Sequence, residues 1–119
     1  MRVLTVDDSP TILSMLNHVL KEAGFEVVQA EDGQKGLDAM KGEEFDVVIT
    51  DINMPVMDGI EFIKNVRASG ARKNLPILIL TTESSPEKRN LGREAGGTGW
   101  IVKPFDPQKL ISVIHRVVH

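Results

Sequence analysis

The stretch "VVITDINMPVMDG", residues 47–59, decides how this chain folds. Its first four residues, Val47, Val48, Ile49 and Thr50, are all β-branched, as a strand covered on both faces requires. The strand then runs straight into a carboxylate, Asp51, followed by a loop that carries Pro55 and Gly59. A carboxylate at the tip of a buried strand is costly unless something there uses it.

Outward from that stretch the same pattern recurs. Short β-branched or apolar runs at 2–6, 25–30, 46–50, 77–81 and 100–102 alternate with helical patterns. Most runs are apolar at both alternating positions, as strands of a parallel sheet with helices on each side should be. Ser9-Pro10, Ser85-Pro86 and Asp106-Pro107 each place a capping side chain before a proline suited to the first helical position. In the first helix Ile12, Met15, Leu16, Val19 and Leu20 share a face, and Gly24 supplies the stop. In the last helix Leu110, Ile111, Ile114, Val117 and Val118 do the same. The second helix (about 33–41) offers Leu37 and Met40 for burial, and the third (about 60–69) offers Ile60, Ile63 and Val66. The fourth, "PEKRNLGREA" (86–95), has only Leu91 and Ala95 and contains Gly92, so it should be the most polar and loosest. Five strand–helix units with short connections predict an α/β fold: a doubly wound, five-stranded parallel sheet of order 2-1-3-4-5, flavodoxin-like.

Composition narrows the function. The 119 residues suit one domain, 1–119, with a single core, at 41% hydrophobic and 26% charged. A net charge of −3 without a basic run disfavours nucleic acid as a partner. There is no cysteine, so disulfides and thiolate metal sites are excluded. No apolar run approaches membrane-spanning length, and "MRVLTVDD" turns acidic too early for a signal peptide. A cytoplasmic, monomeric protein is the expectation.

The polar residues that composition does not explain fall at the C-terminal ends of strands. Asp7 and Asp8 follow the first strand, Asp51 the third and Lys103 the fifth, while Thr81 ends the fourth. In open α/β sheets ligands bind outside those ends, where the strand order reverses, and order 2-1-3-4-5 makes the first and third strands neighbours there. Three carboxylates against one lysine leave two negative charges, which one divalent cation balances. Oxygen ligands without histidine or cysteine favour Mg²⁺. Such a site beside a lysine and a hydroxyl suits phosphoryl transfer, with a carboxylate of the site as attacking oxygen and an acyl phosphate as product. Taken singly, each residue has a plainer role: Asp8 or Ser9 as a helix cap, Asp58 as another, Thr81 as a strand residue, Lys103 as a loop residue. All five at one end of one sheet point to a site.

"VDD" (6–8), "TDINMPVMDG" (50–59), "LTTE" (80–83) and "KPF" (103–105) resemble the signature of bacterial two-component response-regulator receiver domains, over the whole chain and in the right order. Within that family the resemblance is to single-domain chemotaxis regulators. It implies that Asp51 is the phosphoacceptor and that Asp7 and Asp8 hold Mg²⁺ with Asp51, the Asn53 backbone carbonyl completing the set. It implies that Thr81 and Lys103 bind phosphoryl oxygens and that Lys103-Pro104 is cis. Trp100 stands where the family has its switch aromatic, commonly Tyr or Phe, so a phenolic hydrogen bond to a partner is absent. Asn53 and Glu83, two residues beyond Asp51 and Thr81, occupy positions that tune self-hydrolysis. The implied donor is a sensor histidine kinase, the chemotaxis kinase CheA. The implied target is a flagellar motor-switch protein, met by a face around Lys88, Arg89, Trp100 and Lys109. Such a switch catalyses its own modification without turning over a separate substrate. Alternative functions are a receiver cut from a larger DNA-binding regulator and a phosphorelay intermediate. A covalent phosphatase of the haloacid dehalogenase class ranks lower, because that class wants a second Asp where this chain has Asn53.

Overall fold

Successive residues of a strand point to opposite faces of a sheet, so strands apolar throughout need a cover on both sides. The computed structural model, which describes residues 1–70 and 72–118, supplies it. Strands β1 (Arg2–Val6), β2 (Glu26–Ala30), β3 (Val47–Thr50), β4 (Ile77–Thr81) and β5 (Gly99–Val102) alternate with helices. These are α1 (Pro10–Glu22), α2 (Gly33–Met40), α3 (Gly59–Ala68), α4 (Pro86–Ala95) and α5 (Pro107–Val117). The strands form one parallel sheet in the order β2-β1-β3-β4-β5, as the sequence predicts.

Alternation along the strands divides the core in two. Leu4, Val6, Val48, Ile77 and Ile79 meet Met40 of α2, Phe62, Ile63 and Val66 of α3 and Ala95 of α4. Val3, Val47, Ile49, Leu78 and Leu80 meet Leu16 and Leu20 of α1 and Leu110 and Ile114 of α5. The helices begin where their caps dictate. Ser9, Ser85 and Asp106 accept backbone N–H groups of the first turns of α1, α4 and α5, each just before a proline. Asp32 and Asp58 cap α2 and α3 in the same way.

Differences from the sequence expectation are local. β2 and β3 begin one residue later and β5 one residue earlier, α2 ends at Met40 and α3 spans 59–68. Met15 does not join the buried face of α1 and is 47% exposed, because Leu16 and Leu20 already fill the contact with the sheet. Leu91 is likewise exposed, at 40%, and α4 meets the sheet through Gly92 and Ala95 instead. Phe62, absent from the expected face of α3, is wholly buried and lies where a Cβ on Gly36 would come within 2.9 Å of its ring. Val118 caps the end of α5 rather than belonging to it.

Candidate functional site

Register brings the site together. Val6 pairs with Thr50, so the next residues, Asp7 and Asp51, leave adjacent strands side by side. The Asp7 N–H donates to the Ala30 carbonyl at 3.1 Å and the Asp51 N–H to the Val6 carbonyl at 2.9 Å. On the far side Thr81 pairs with Val102, and the Lys103 N–H donates to the Thr81 carbonyl at 2.8 Å. Asp7, Asp51 and Lys103 are thus each fixed through the backbone to a neighbouring strand. The Lys103-Pro104 peptide is cis.

The lysine lies between the acids. Lys103 Nζ donates to Asp7 Oδ2 and to Asp51 Oδ2, both at 2.8 Å. The second oxygens are also engaged: Asp7 Oδ1 accepts the Ser9 N–H at 2.9 Å and Asp51 Oδ1 the Ile52 N–H at 2.6 Å. Asp7 and Asp51 are buried, whereas Asp8 is exposed at the rim. Ser9, not Asp8, caps α1, which leaves the Asp8 carboxylate to the crevice. Among the described residues, Asp7, Asp8 and Asp51 are the group able to hold a metal ion, each offering a carboxylate oxygen within 4.8 Å of the others. Burial raises the Asp7 carboxyl above its ordinary range, and its bonds to Lys103 and Ser9 only partly oppose that. Burial also works against the Lys103 ammonium, but its bonds to Asp51 and Asp7 outweigh this and hold it above the usual lysine value.

Thr81 is wholly buried, and its Oγ1 accepts the Glu83 N–H at 3.2 Å. The Glu83 carboxylate accepts the Ser85 N–H, and its backbone carbonyl accepts the indole Nε1–H of Trp100 at 3.1 Å. The indole therefore makes a hydrogen bond at its ring nitrogen, within the chain. Thr81, Glu83 and Trp100 form a connected series from the crevice to the edge strand, and only the end members were legible as such. Asn53 is exposed beside Asp51. Lys88 is half-buried and Arg89 and Lys109 are exposed on α4 and α5, flanking Trp100 on β5. A groove of about 380 Å³ between β5 and α5 is lined by Trp100, Val102, Phe105 and Lys109 among others.

The loop after Asp51 holds two features of different legibility. Gly59 packs on the strand end so closely that a Cβ there would collide with the Asp51 carbonyl oxygen, which accounts for a glycine after the Asp58 cap. Val56, by contrast, has φ of 70° at the centre of a three-residue turn closed by the Met57 N–H to the Pro55 carbonyl at 2.7 Å, and its side chain is 81% exposed. Positive φ is strained for a β-branched residue, and nothing in the sequence signals it.

The sequence profile described as the response regulator receiver domain matches residues 3–115. The chain is 39% identical to the chemotaxis protein CheY-3 of Vibrio cholerae over 118 residues, covering 98% of this chain and 91% of that protein. Its fold matches the structure of the chemotaxis response regulator CheY4 of Vibrio cholerae with a TM-score of 0.92 at 50% identity, covering 98% of each chain. It also matches the receiver domain of a Pseudomonas aeruginosa sensor histidine kinase, solved with a magnesium ion coordinated in its active-site cleft. There the TM-score is 0.90 at 25% identity, over 97% of this chain and 94% of that one. The chain belongs to the response-regulator receiver-domain family, the phosphorylation-activated component of two-component signalling.

Proposed function

We propose that Asp51 accepts the phosphoryl group and that Asp7, Asp8 and Lys103 serve that transfer. The observation that carries this reading is the single lysine ammonium bonded to both buried carboxylates, Asp7 and Asp51, at the mouth of the sheet. Asp51 is positioned before reaction by the Ile52 N–H and Lys103, so little reorganisation is needed when its oxygen attacks phosphorus. The new bond is carboxylate oxygen to phosphorus, and the bond that breaks is phosphorus to the imidazole nitrogen of a phosphohistidine donor, which leaves with the pair. Lys103 then exchanges a carboxylate oxygen for a phosphoryl oxygen. The Thr81 hydroxyl, whose oxygen already accepts the Glu83 N–H, retains its proton to donate to another phosphoryl oxygen.

The donor set fits Mg²⁺. Three carboxylates converge with no nitrogen or sulfur ligand among them, and one lysine offsets only part of their charge. Asp7, Asp8, Asp51 and the Asn53 carbonyl would hold the ion. When bound it neutralises charge on the phosphoryl oxygens. The receiver domain with magnesium in its cleft supports the same choice.

A histidine kinase upstream and a target protein downstream follow from the family. The chemotaxis relatives support the finer reading: CheA as donor, a flagellar motor-switch protein as target and the cytoplasm as location. The face of Lys88, Arg89, Trp100 and Lys109 is the output surface, and Asn53 and Glu83 set the lifetime of the acyl phosphate. No separate substrate is turned over. Among the described residues no helix is long and apolar enough to cross a membrane. The test is mass spectrometry after incubation with a small phosphodonor and Mg²⁺. Wild type gains one phosphoryl group and Asp51→Asn, nearly isosteric, gains none; modification of the variant at a comparable rate would remove Asp51 from the role.

A further inference from the structure

Glycine is among the poorest helix formers, yet Gly92 lies inside α4 and is buried. The reason lies beneath it. A Cβ on Gly92 would come within 2.8 Å of Ile79 Cδ1 and 3.0 Å of Trp100 Cζ3, so its hydrogen alone leaves room for the indole. Ile79 and Trp100 are register partners on β4 and β5, and the helix crosses directly over that pair. The opposite edge of the indole is tied by its N–H to the Glu83 carbonyl. Beside the ring a cavity of about 240 Å³, bordered by Arg89, Arg93 and Gly97, gives a displaced indole somewhere to go.

We propose that Gly92 is the positioning residue for Trp100: the missing Cβ creates the seat in which the indole reaches Glu83, and so sets how firmly the output side chain is held. The inference rests on reading Trp100 as that side chain. An added methyl meets two obstacles of unequal stiffness. Ile79 Cδ1 is the end of a flexible chain and turns aside. The indole is rigid, and it moves only by stretching or releasing its bond to Glu83. Displacement therefore falls on Trp100 or on α4 as a whole.

The seat also predicts an inversion of sign. Alanine is the better helix former, so in a helix with no neighbour at 92 Gly92→Ala should stabilise. With Trp100 in place it should lower the melting temperature, and in a Trp100→Ala background it should raise it. Trp100 is the chain's one tryptophan, so its fluorescence reads the seat directly. In unphosphorylated Gly92→Ala the emission should shift to the red and quenching by acrylamide should rise about twofold, while Asp51 takes up a phosphoryl group at the wild-type rate. Unchanged emission and quenching, or a rise in melting temperature in both backgrounds, would overturn the proposal. These readouts use unphosphorylated protein, so a failure of Asp51 to accept phosphate would show separately, in the mass.

Discussion

Helices α3 and α4 lie next to each other on the same face of the sheet and are held there by different means. α3 buries Phe62, Ile63 and Val66 as well as Gly59. α4 buries only Gly92 and Ala95, neither with a side chain larger than a methyl. What fixes α4 is at its ends. Ser85 caps its first turn, and at the far end Gly96, at φ of 112°, turns the chain so that the Gly97 N–H reaches the Gly92 carbonyl. Arg67 reaches across from α3, donating from Nε and Nη2 to the Gly96 carbonyl and from Nη1 to the Arg72 carbonyl. A helix held by apolar burial yields only when the core yields, whereas one held by a few polar ties shifts when one of them changes. The loop of Asp51 leads into α3, and the loop of Thr81 into α4. The proposed acceptor is thus mounted on the rigid helix and the proposed response on the movable one.

That contrast can be broken at several points. The largest effect should come from Phe62→Ala, which empties a fully buried aromatic site and should cost about 3–5 kcal/mol in urea unfolding. Arg67→Met should cost about 2 kcal/mol, since it leaves the part-buried Gly96 and Arg72 carbonyls without their donor. Hydrogen exchange should then quicken in α4 while α3 keeps its protection; equal quickening in both would show that α4 is not held by this tie. Val56→Gly should stabilise by about 1 kcal/mol, because glycine adopts positive φ without strain and the exposed valine side chain gives up no core contact. The smallest effect belongs to Leu91→Ala, within about 0.5 kcal/mol, as an exposed side chain on α4 predicts. A large loss there would mean that α4 is anchored by burial after all.

What the sequence disclosed and what it concealed follow one physical line. Strand positions, the caps at Ser9, Ser85 and Asp106 and the acids at strand ends are each set by local chemistry that a single residue type announces. The convergence of Asp7, Asp51 and Lys103 followed from strand order alone. Helical periodicity, by contrast, assigns a face but not its width, so Met15 and Leu91 were expected inside and lie outside. Gly92 was read as a weakness of α4, because its reason is a side chain on another element. The Glu83 carbonyl was invisible for a related cause: main-chain acceptors are the same at every position, and only the fold aims one at an indole.

The ion pairs of the crevice also bear on the order of assembly. Lys103 lies 96 residues after Asp7 and 52 after Asp51 in the chain. When β1 and β3 pair, two carboxylates are pressed together with no counter-charge from the chain itself, which supplies one only when β5 docks and brings in Lys103. Contacts so distant in sequence carry a loop-closure cost before they return any stabilisation. The repulsion disfavours a half-built sheet and penalises stopping at three strands. The same acids that crowd the crevice thereby make folding more nearly all-or-none.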